Sequence, residues 1–305
     1  MALANYYKCA SCGENAVFDP KSGKLCCSVC GKEAPIEAAP PEKLPIASEA
    51  DFAAAPETPT GICPFLITRE EAAAACQKWI RPKLLCPAAA RKLAAADFRG
   101  AYLPGWTYSA GVVSHYSGSY GVDRPEKDRY GRMRTATDWY PASGTFAEDY
   151  ADRLVWGTDR FDEKLLAELT PYKTCDCRAF DAAYTAGFEA EKASIPADAA
   201  WRKARRLIEA DVLKDVRAKV IDDKGAHHIK DIMPEIAYNG ISCQYLLLPV
   251  WIAATTVGGK DYCFLVNGET GKVAGKAPKS AVRTAIAAIL CLAAAVGLYL
   301  WTKGL

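Results

Sequence analysis

The sequence predicts an α+β chain that has a small cysteine-rich module at its N-terminus, a largely antiparallel body and an apolar helix at its C-terminus. Three observations predict this organisation. Two copies of a CxxCG motif occur between residues 9 and 31. Alternating apolar runs, separated by Asn-Gly and Gly-Gly pairs, flank a helical stretch in the middle of the chain. An apolar run without a charge covers residues 285–301.

The composition is that of a globular protein. The chain has 305 residues, of which 50% are hydrophobic and 24% are charged, and a chain of this size can bury a core of its own. The net charge of +2 gives no overall attraction for nucleic acid. Because the N-terminus lacks the apolar segment of a secretory signal, we expect the 13 cysteines to stay reduced, and clustered ones to bind metal.

The two CxxCG motifs predict one metal site. Each motif, at residues 9–13 and 27–31, places two thiolates on one side of a tight turn that the glycine permits. Four thiolates suit a closed tetrahedral site for structural Zn²⁺, whereas a catalytic zinc keeps one position open. Cys26 is left out because pairing it with Cys30 would break the repeat. The predicted ligands are Cys9, Cys12, Cys27 and Cys30.

The segment between the motifs predicts the hairpin of a zinc ribbon. Two short apolar strands, at 16–18 and 24–26, flank a turn that contains Pro and Gly. About 30 residues bury too little surface to fold alone, so the metal would supply most of the stability. We therefore assign residues 1–35 to the ribbon and the Pro- and Ala-rich residues 36–62 to a flexible linker.

Residues 63–278 are predicted to form the α+β body. Thr68 and Glu71 form a capping-box pattern at the start of a first helix, and a second helix is expected within 181–191. Apolar residues at three- and four-residue steps predict a longer helix over 199–220. The alternating segments predict strands that are separated by a charged loop at 121–131 and by turns at 141–144, Asn239-Gly240, Gly258-Gly259 and Asn267-Gly268.

Several patterns that can carry chemistry are expected to be structural. The segment 271–277 lacks the spacing and the Ser or Thr of a phosphate-binding loop. Adjacent histidines, such as His227 and His228, point to opposite faces of a strand and cannot easily share one metal. Cys175 and Cys177 have no further ligand placed beside them. We therefore assign no catalytic and no cofactor-binding residue.

The apolar run 285–301 predicts a single transmembrane helix over residues 282–302. Trp301 and Tyr299 suit a membrane interface, and basic residues are more numerous before the run than after it. We therefore expect a single-pass, tail-anchored protein of the cell membrane whose N-terminus and body are cytoplasmic. The predicted fold class is α+β, with an N-terminal zinc ribbon, a largely antiparallel α+β body and a single C-terminal transmembrane helix.

Motifs spread along the chain resemble those of a known group of proteins. They are the CxxCG pair, "PFLITREEA", "YLPGWTYSA", "LLLPVWIA" and "DYCFLVNGETGKVAGKAP". Together they resemble bacterial membrane proteins that contain a transcription factor IIB-type zinc ribbon. The resemblance covers nearly the whole chain and implies zinc at the four cysteines and membrane association. The label of primosomal helicase that some members carry does not fit, because the chain has no Walker A loop and no acidic helicase box.

These features favour a non-enzymatic, membrane-tethered zinc-ribbon adaptor. Its expected partners are the lipid bilayer, through residues 282–302, and an unidentified protein. One alternative is nucleic-acid binding by the ribbon, which has several lysines and three aromatic residues that can stack on bases: Lys8, Lys21, Lys24, Lys32, Tyr6, Tyr7 and Phe18. Another alternative is an enzyme with its site in the β body.

Overall fold

The structure is a computed structural model, and it describes residues 3–4, 7–37, 39–46, 51–52, 55–87, 93–257, 259–278 and 281–303. The helices are α1 (Arg69–Ile80), α2 (Glu163–Leu169), α3 (Ala197–Lys224) and α4 (Ala281–Lys303). The strands are β1 (Leu3–Ala4), β2 (Tyr7–Lys8), β3 (Asn15–Asp19), β4 (Lys24–Cys27), β5 (Glu33–Ala34), β6 (Leu44–Ile46), β7 (Gly61–Ile62), β8 (Phe98–Lys127), β9 (Met133–Trp156), β10 (Arg178–Ala179), β11 (Glu189–Ala190), β12 (His228–Val257), β13 (Lys260–Asn267) and β14 (Val273–Gly275).

Three long antiparallel strands dominate the body. Strand β8 lies between β9 and β12 and pairs with both along most of its length. Strands β8 and β12 have 30 residues each and β9 has 24. At about 3.3 Å per residue, the longer strands extend up to ~100 Å. Strands β6, β7 and β13 pair with the other edge of β12. The sheet is therefore wide at one end and three-stranded at the other.

The wide end of the sheet is buried on both faces. One face packs against α3, whose apolar stripe of Ile208, Val212 and Val216 is fully buried. The opposite face packs against α2 through Leu166 and Leu169. The near-continuous apolar run 245–253 in β12 is typical of such a strand, because neither of its faces contacts solvent.

Two of the predicted turns lie inside continuous strands. In β9, Pro141 pairs with Ser119 of β8 and Gly144 pairs with Tyr116, so no turn occurs at 141–144. In β12, Gly240 has a φ of +56° and lies at a bulge in the pairing with β8. Bulges and tight turns can both require a residue with a positive φ, and an Asn-Gly pair supplies it in either case. Most of the charged loop predicted at 121–131 likewise belongs to β8, and only a short connection separates β8 from β9.

The helix predictions succeed where local signals are strong. Helix α1 begins after Thr68, and both hydrogen bonds of its capping box with Glu71 are present. Helix α3 covers the predicted 199–220 and continues beyond it at both ends. The helix predicted within 181–191 is wrong, because Gly187 at a φ of +84° separates a short 3-10 turn from β11.

The predicted fold class is also wrong in its C-terminal part and in its balance of helix and strand. Strand residues outnumber helical ones, and antiparallel pairing connects most of the body. Among the described residues, none of the helices is both long and apolar enough to span a bilayer, so the transmembrane helix predicted over 282–302 is not supported. The uncharged run 285–301 is only part of α4, which also contains Arg283 and Lys303.

The described parts of the predicted linker contact the body. Strand β6 pairs with β12, and the Lys43 Nζ atom lies 3.0 Å from an Asp152 carboxylate oxygen on β9. The side-chain amide of Gln244 donates to the Pro41 carbonyl oxygen at 3.3 Å. The proline-rich composition therefore produces an extended segment that adds to the sheet edge.

A disulfide differs from the expectation of reduced thiols. It joins Cys63 and Cys177, which are both buried and lie 114 residues apart in sequence. The antiparallel pairing of β7 with β10 brings the two cysteines together. The spacing of Cys175 and Cys177 in the sequence does not indicate that Cys177 pairs with a cysteine 114 residues away.

Candidate metal centre

The N-terminal cysteines lie in a four-stranded antiparallel sheet of their own, β2–β3–β4–β5. Strands β3 and β4 form the hairpin that the sequence predicts, with Ala16 opposite Cys27 and Asp19 opposite Lys24. Asp19 holds the turn, because its carboxylate accepts hydrogen bonds from the backbone N–H groups of Lys21 and Ser22. Gly23 completes the turn with a φ of +66°.

The two CxxCG motifs have the same backbone geometry. The N–H of Gly13 donates to the Cys9 carbonyl oxygen at 2.9 Å, and the N–H of Gly31 donates to the Cys27 carbonyl oxygen at 3.1 Å. Both glycines have a positive φ, +75° and +69°, that L-residues with a side chain rarely adopt. The repeat in the sequence is therefore a repeat of structure, and each copy presents its two sulfurs on the same side of the turn.

The four predicted ligands converge on one point. The sulfurs of Cys12 and Cys27 lie 3.4 Å apart, and those of Cys9 and Cys30 lie 3.7 Å apart. All four sulfurs lie within 4.8 Å of one another. Zinc–sulfur bonds of ~2.3 Å in a tetrahedron require sulfur–sulfur distances of about 3.8 Å. The cluster can therefore hold a metal ion, and its dimensions fit four sulfur ligands.

Backbone N–H groups stabilise negative charge on two of the sulfurs. The N–H of Ser11, 3.4 Å from the Cys9 sulfur, lowers the pKa of the Cys9 thiol below its ordinary value. The N–H groups of Cys30 and Val29 lower the pKa of the Cys27 thiol to about 6. These N–H groups are aimed by the tight turns, so the fold itself favours thiolates in this cluster.

The neighbouring sulfurs act on Cys12 in the opposite direction. The N–H of Glu14 is the largest single effect and lowers the pKa of Cys12, but the thiol of Cys27, burial and the other two thiols together raise that pKa to about 12. Four thiolates at these distances cannot all be charged unless a cation lies between them. The donor set therefore suits a soft divalent metal.

Residues outside the cluster have other contacts. The Cys26 sulfur lies 3.7 Å from the Ser22 hydroxyl and does not join the four. His227 accepts a hydrogen bond from the Asp123 N–H at 3.0 Å, and His228 lies 3.0 Å from the Asp123 carboxylate. Both histidines thus contact one aspartate at the far end of the sheet, in agreement with a structural interpretation.

The segment that superficially resembles a phosphate loop is organised by Asn267. This side chain is fully buried, and its amide donates to the carbonyl oxygens of Leu169 and Pro171 at 2.9 and 3.1 Å. Its oxygen accepts from the N–H groups of Glu269 and Thr270. The Asn-Gly motif therefore fixes the β13–β14 connection against the end of α2, and its polar atoms are used within the protein.

The ribbon is docked on the body through Phe18, a contact that the sequence does not reveal. Phe18 is only 3% exposed, and its ring centroid lies 5.3 Å from that of Tyr184 and 6.5 Å from that of Phe188. The Phe18 N–H donates to the Ala186 carbonyl oxygen at 3.0 Å. The cysteine cluster is thus held in a fixed position relative to the long sheet.

Comparison with known proteins gives a relative of similar length. The chain is 26% identical over 315 aligned residues to the uncharacterized protein YdjG of Bacillus subtilis (strain 168), and the alignment covers 90% of each protein. No family model matches the chain, and no solved structure matches it at a significant level. The name of this relative states no activity, so the geometry of the site carries the functional argument.

Proposed function

We propose that Cys9, Cys12, Cys27 and Cys30 bind one structural Zn²⁺. Four sulfur donors in a small tetrahedral set favour zinc over the harder divalent ions that prefer oxygen. All four positions around the metal would be taken by protein ligands, which leaves none for a substrate or a water. The role of the metal is therefore to hold the two CxxCG turns together, and with them the strands β2–β5.

The protein is, on this proposal, a non-enzymatic adaptor that presents the metal-bearing end of its ribbon to a partner protein. The observation that carries this is the contrast between the two ends of the ribbon. Phe18 at one end is buried in the body, whereas Val29, between two of the cysteines, is 69% exposed. A buried base and an exposed apolar tip are what a fixed recognition surface requires.

Nucleic-acid binding has less support in the geometry. Phe18, one of the aromatic residues considered for stacking on bases, is buried against Tyr184. Lys24, one of the basic residues of the ribbon, pairs with Glu33 at 2.8 Å. We therefore propose the protein-binding role alone.

The metal is tested by elemental analysis of the full chain purified without chelator. We expect about one zinc per chain in the wild type and in Cys26→Ser, and well under half of that in Cys12→Ser. The Cys26→Ser variant is the matched control, because it removes a ribbon thiol that lies outside the cluster. Equal zinc content in Cys12→Ser and in the wild type would refute the assignment.

The adaptor role is tested by comparing captured proteins between two single-residue variants. Val29→Glu places a charge on the ribbon tip, and Met233→Glu places one on an equally exposed apolar residue, 72% exposed, on the distal sheet. We expect a partner that is retained by wild type and Met233→Glu and lost by Val29→Glu, with zinc content unchanged in all three. Retention of every partner by Val29→Glu would refute recognition through the tip.

A further inference from the structure

A cavity of about 500 Å³ lies between α2, α3 and the end of β9, away from the metal cluster. Its volume is within the range of small-molecule sites in proteins. Val155, Trp156 and Leu166 line it and are buried, while Leu207 at its mouth is 50% exposed. The inner part of this apolar wall is therefore covered by the protein, whereas its mouth exposes the side chain of Leu207 to solvent.

The polar groups of the wall are already engaged. The Trp156 indole N–H donates to the Leu166 carbonyl oxygen at 3.0 Å, and the Thr170 hydroxyl donates to the Ala167 carbonyl oxygen at 2.8 Å. The Thr158 hydroxyl bonds a Glu191 carboxylate oxygen. A ligand in this cavity thus meets apolar surface and gains little from hydrogen bonds to the wall.

Charge is confined to the rim and is predominantly positive. One acidic side chain, Glu163, and two basic ones, Lys203 and Arg206, line the cavity. Lys203 pairs with Glu163 at 3.0 Å and connects α3 to α2. Within the part of the chain that the structure describes, Arg206 makes no ion pair. The guanidinium of Arg206 is exposed to solvent beside the cavity, and a carboxylate matches it in charge and in its two-oxygen geometry.

We propose that this cavity binds a fatty carboxylate, with its hydrocarbon chain against Trp156 and Leu207 and its carboxylate on Arg206. The ligand would replace water on the exposed part of Leu207 and on the guanidinium of Arg206. This site does not depend on the metal or on the adaptor role, because its walls belong to α2, α3 and β9.

The probes are three small molecules, measured by isothermal titration calorimetry with the full zinc-loaded chain. Decanoate has both the apolar chain and the carboxylate, acetate has only the carboxylate, and decyltrimethylammonium has a similar chain with the opposite charge. We expect saturable one-to-one binding of decanoate, and at least tenfold weaker binding of the other two. Comparable binding of decanoate and decyltrimethylammonium, or no binding of decanoate up to its solubility limit, would overturn the proposal.

Two variants on the same helix separate the site from a general charge effect. Arg206→Gln should weaken decanoate binding about five- to tenfold, whereas the matched control Arg217→Gln, an exposed position of α3 outside the cavity, should leave it unchanged. Glu163→Gln should tighten it about two- to threefold, because Lys203 is then released toward the carboxylate. Equal effects of Arg206→Gln and Arg217→Gln would overturn the proposal.

Ala167→Trp tests the cavity itself. Ala167 is an exposed residue of α2 that lines the cavity, so a larger side chain can fill the space without disturbing the buried core. We expect the variant to fold with an unchanged melting temperature and to lose most decanoate binding. Unaltered decanoate affinity in a folded Ala167→Trp protein would place the ligand elsewhere and refute the assignment.

Discussion

Replacing Phe18 by alanine should loosen the ribbon from the body. The ring is 3% exposed and contacts two aromatic residues of the body, Tyr184 and Phe188. Truncating a buried phenylalanine costs about 3–5 kcal/mol, and the backbone hydrogen bond to Ala186 is kept, so we take the lower value of about 3 kcal/mol. For a chain of this length the unfolding entropy is roughly 0.6 kcal/mol per kelvin, which converts the loss to a decrease in melting temperature of about 5 °C.

The assay is differential scanning calorimetry of the zinc-loaded full chain, with zinc content measured on each variant. Phe18→Leu keeps most of the apolar volume and should lower the melting temperature by about 2 °C. Tyr7→Ala, at a half-exposed position on the neighbouring strand β2, should change it by less than about 1 °C. If Phe18→Ala melted within 1 °C of the wild type and retained its zinc, the ribbon would not be docked through this ring.

Three further outcomes follow from single contacts. Gly187→Ala should lower the free energy of unfolding by about 2 kcal/mol in urea titrations, because φ is +84° and the new Cβ would lie 2.9 Å from a Val17 methyl carbon. Asn267→Ala should cost about 3 kcal/mol in the same assay, because it removes the four hydrogen bonds of a fully buried side chain. Thr137→Val should raise the pKa of Asp123 in an NMR titration, since the hydrogen bond from Thr137 is the main cause that lowers it. A carboxyl with a lowered pKa stabilises the fold above its unfolded pKa of ~4, so this contribution is lost as the pH falls, and it should be lost at a higher pH in the variant.

Each of these outcomes has a control. Gly131 also has a positive φ, +76°, but no atom lies within 4 Å of an added Cβ, so Gly131→Ala should cost only about 1 kcal/mol. Equal losses at Gly187 and Gly131 would contradict the contact with the ribbon. Asn267→Asp keeps the two accepted hydrogen bonds and should fall between wild type and Asn267→Ala. An unmoved Asp123 titration in Thr137→Val would show that the hydroxyl does not bond this carboxylate in solution.

The features that the sequence predicted are those whose signal is local. The capping box of Thr68 and Glu71 lies within four residues, and each CxxCG turn lies within five, so side-chain chemistry and backbone geometry are specified together. The convergence of the two turns was predictable because one short hairpin separates them. The position of α3 was predictable because its apolar stripe repeats over several turns.

The features that the sequence did not predict depend on distant partners. Gly240 provides a positive φ in either a turn or a bulge, and only the continued pairing of β12 with β8 decides between them. The contacts of Phe18 with Tyr184 and of Cys63 with Cys177 join residues more than 100 positions apart. The cavity beside Arg206 is formed by three elements whose mutual placement follows from packing, which periodicity along the chain does not encode.

The order of the long strands has a consequence for synthesis on the ribosome. Strands β8 and β9 can pair as a hairpin as soon as they emerge, but β12 begins roughly 70 residues after β9 ends. At about 5–20 residues per second, the edge of β8 that pairs with β12 stays unpaired for about 5–20 s, until β12 has been synthesised. During this time that edge exposes unpaired backbone groups and apolar side chains, which favour aggregation. A translational pause between Trp156 and His228 would lengthen that wait and lower the yield of folded chains.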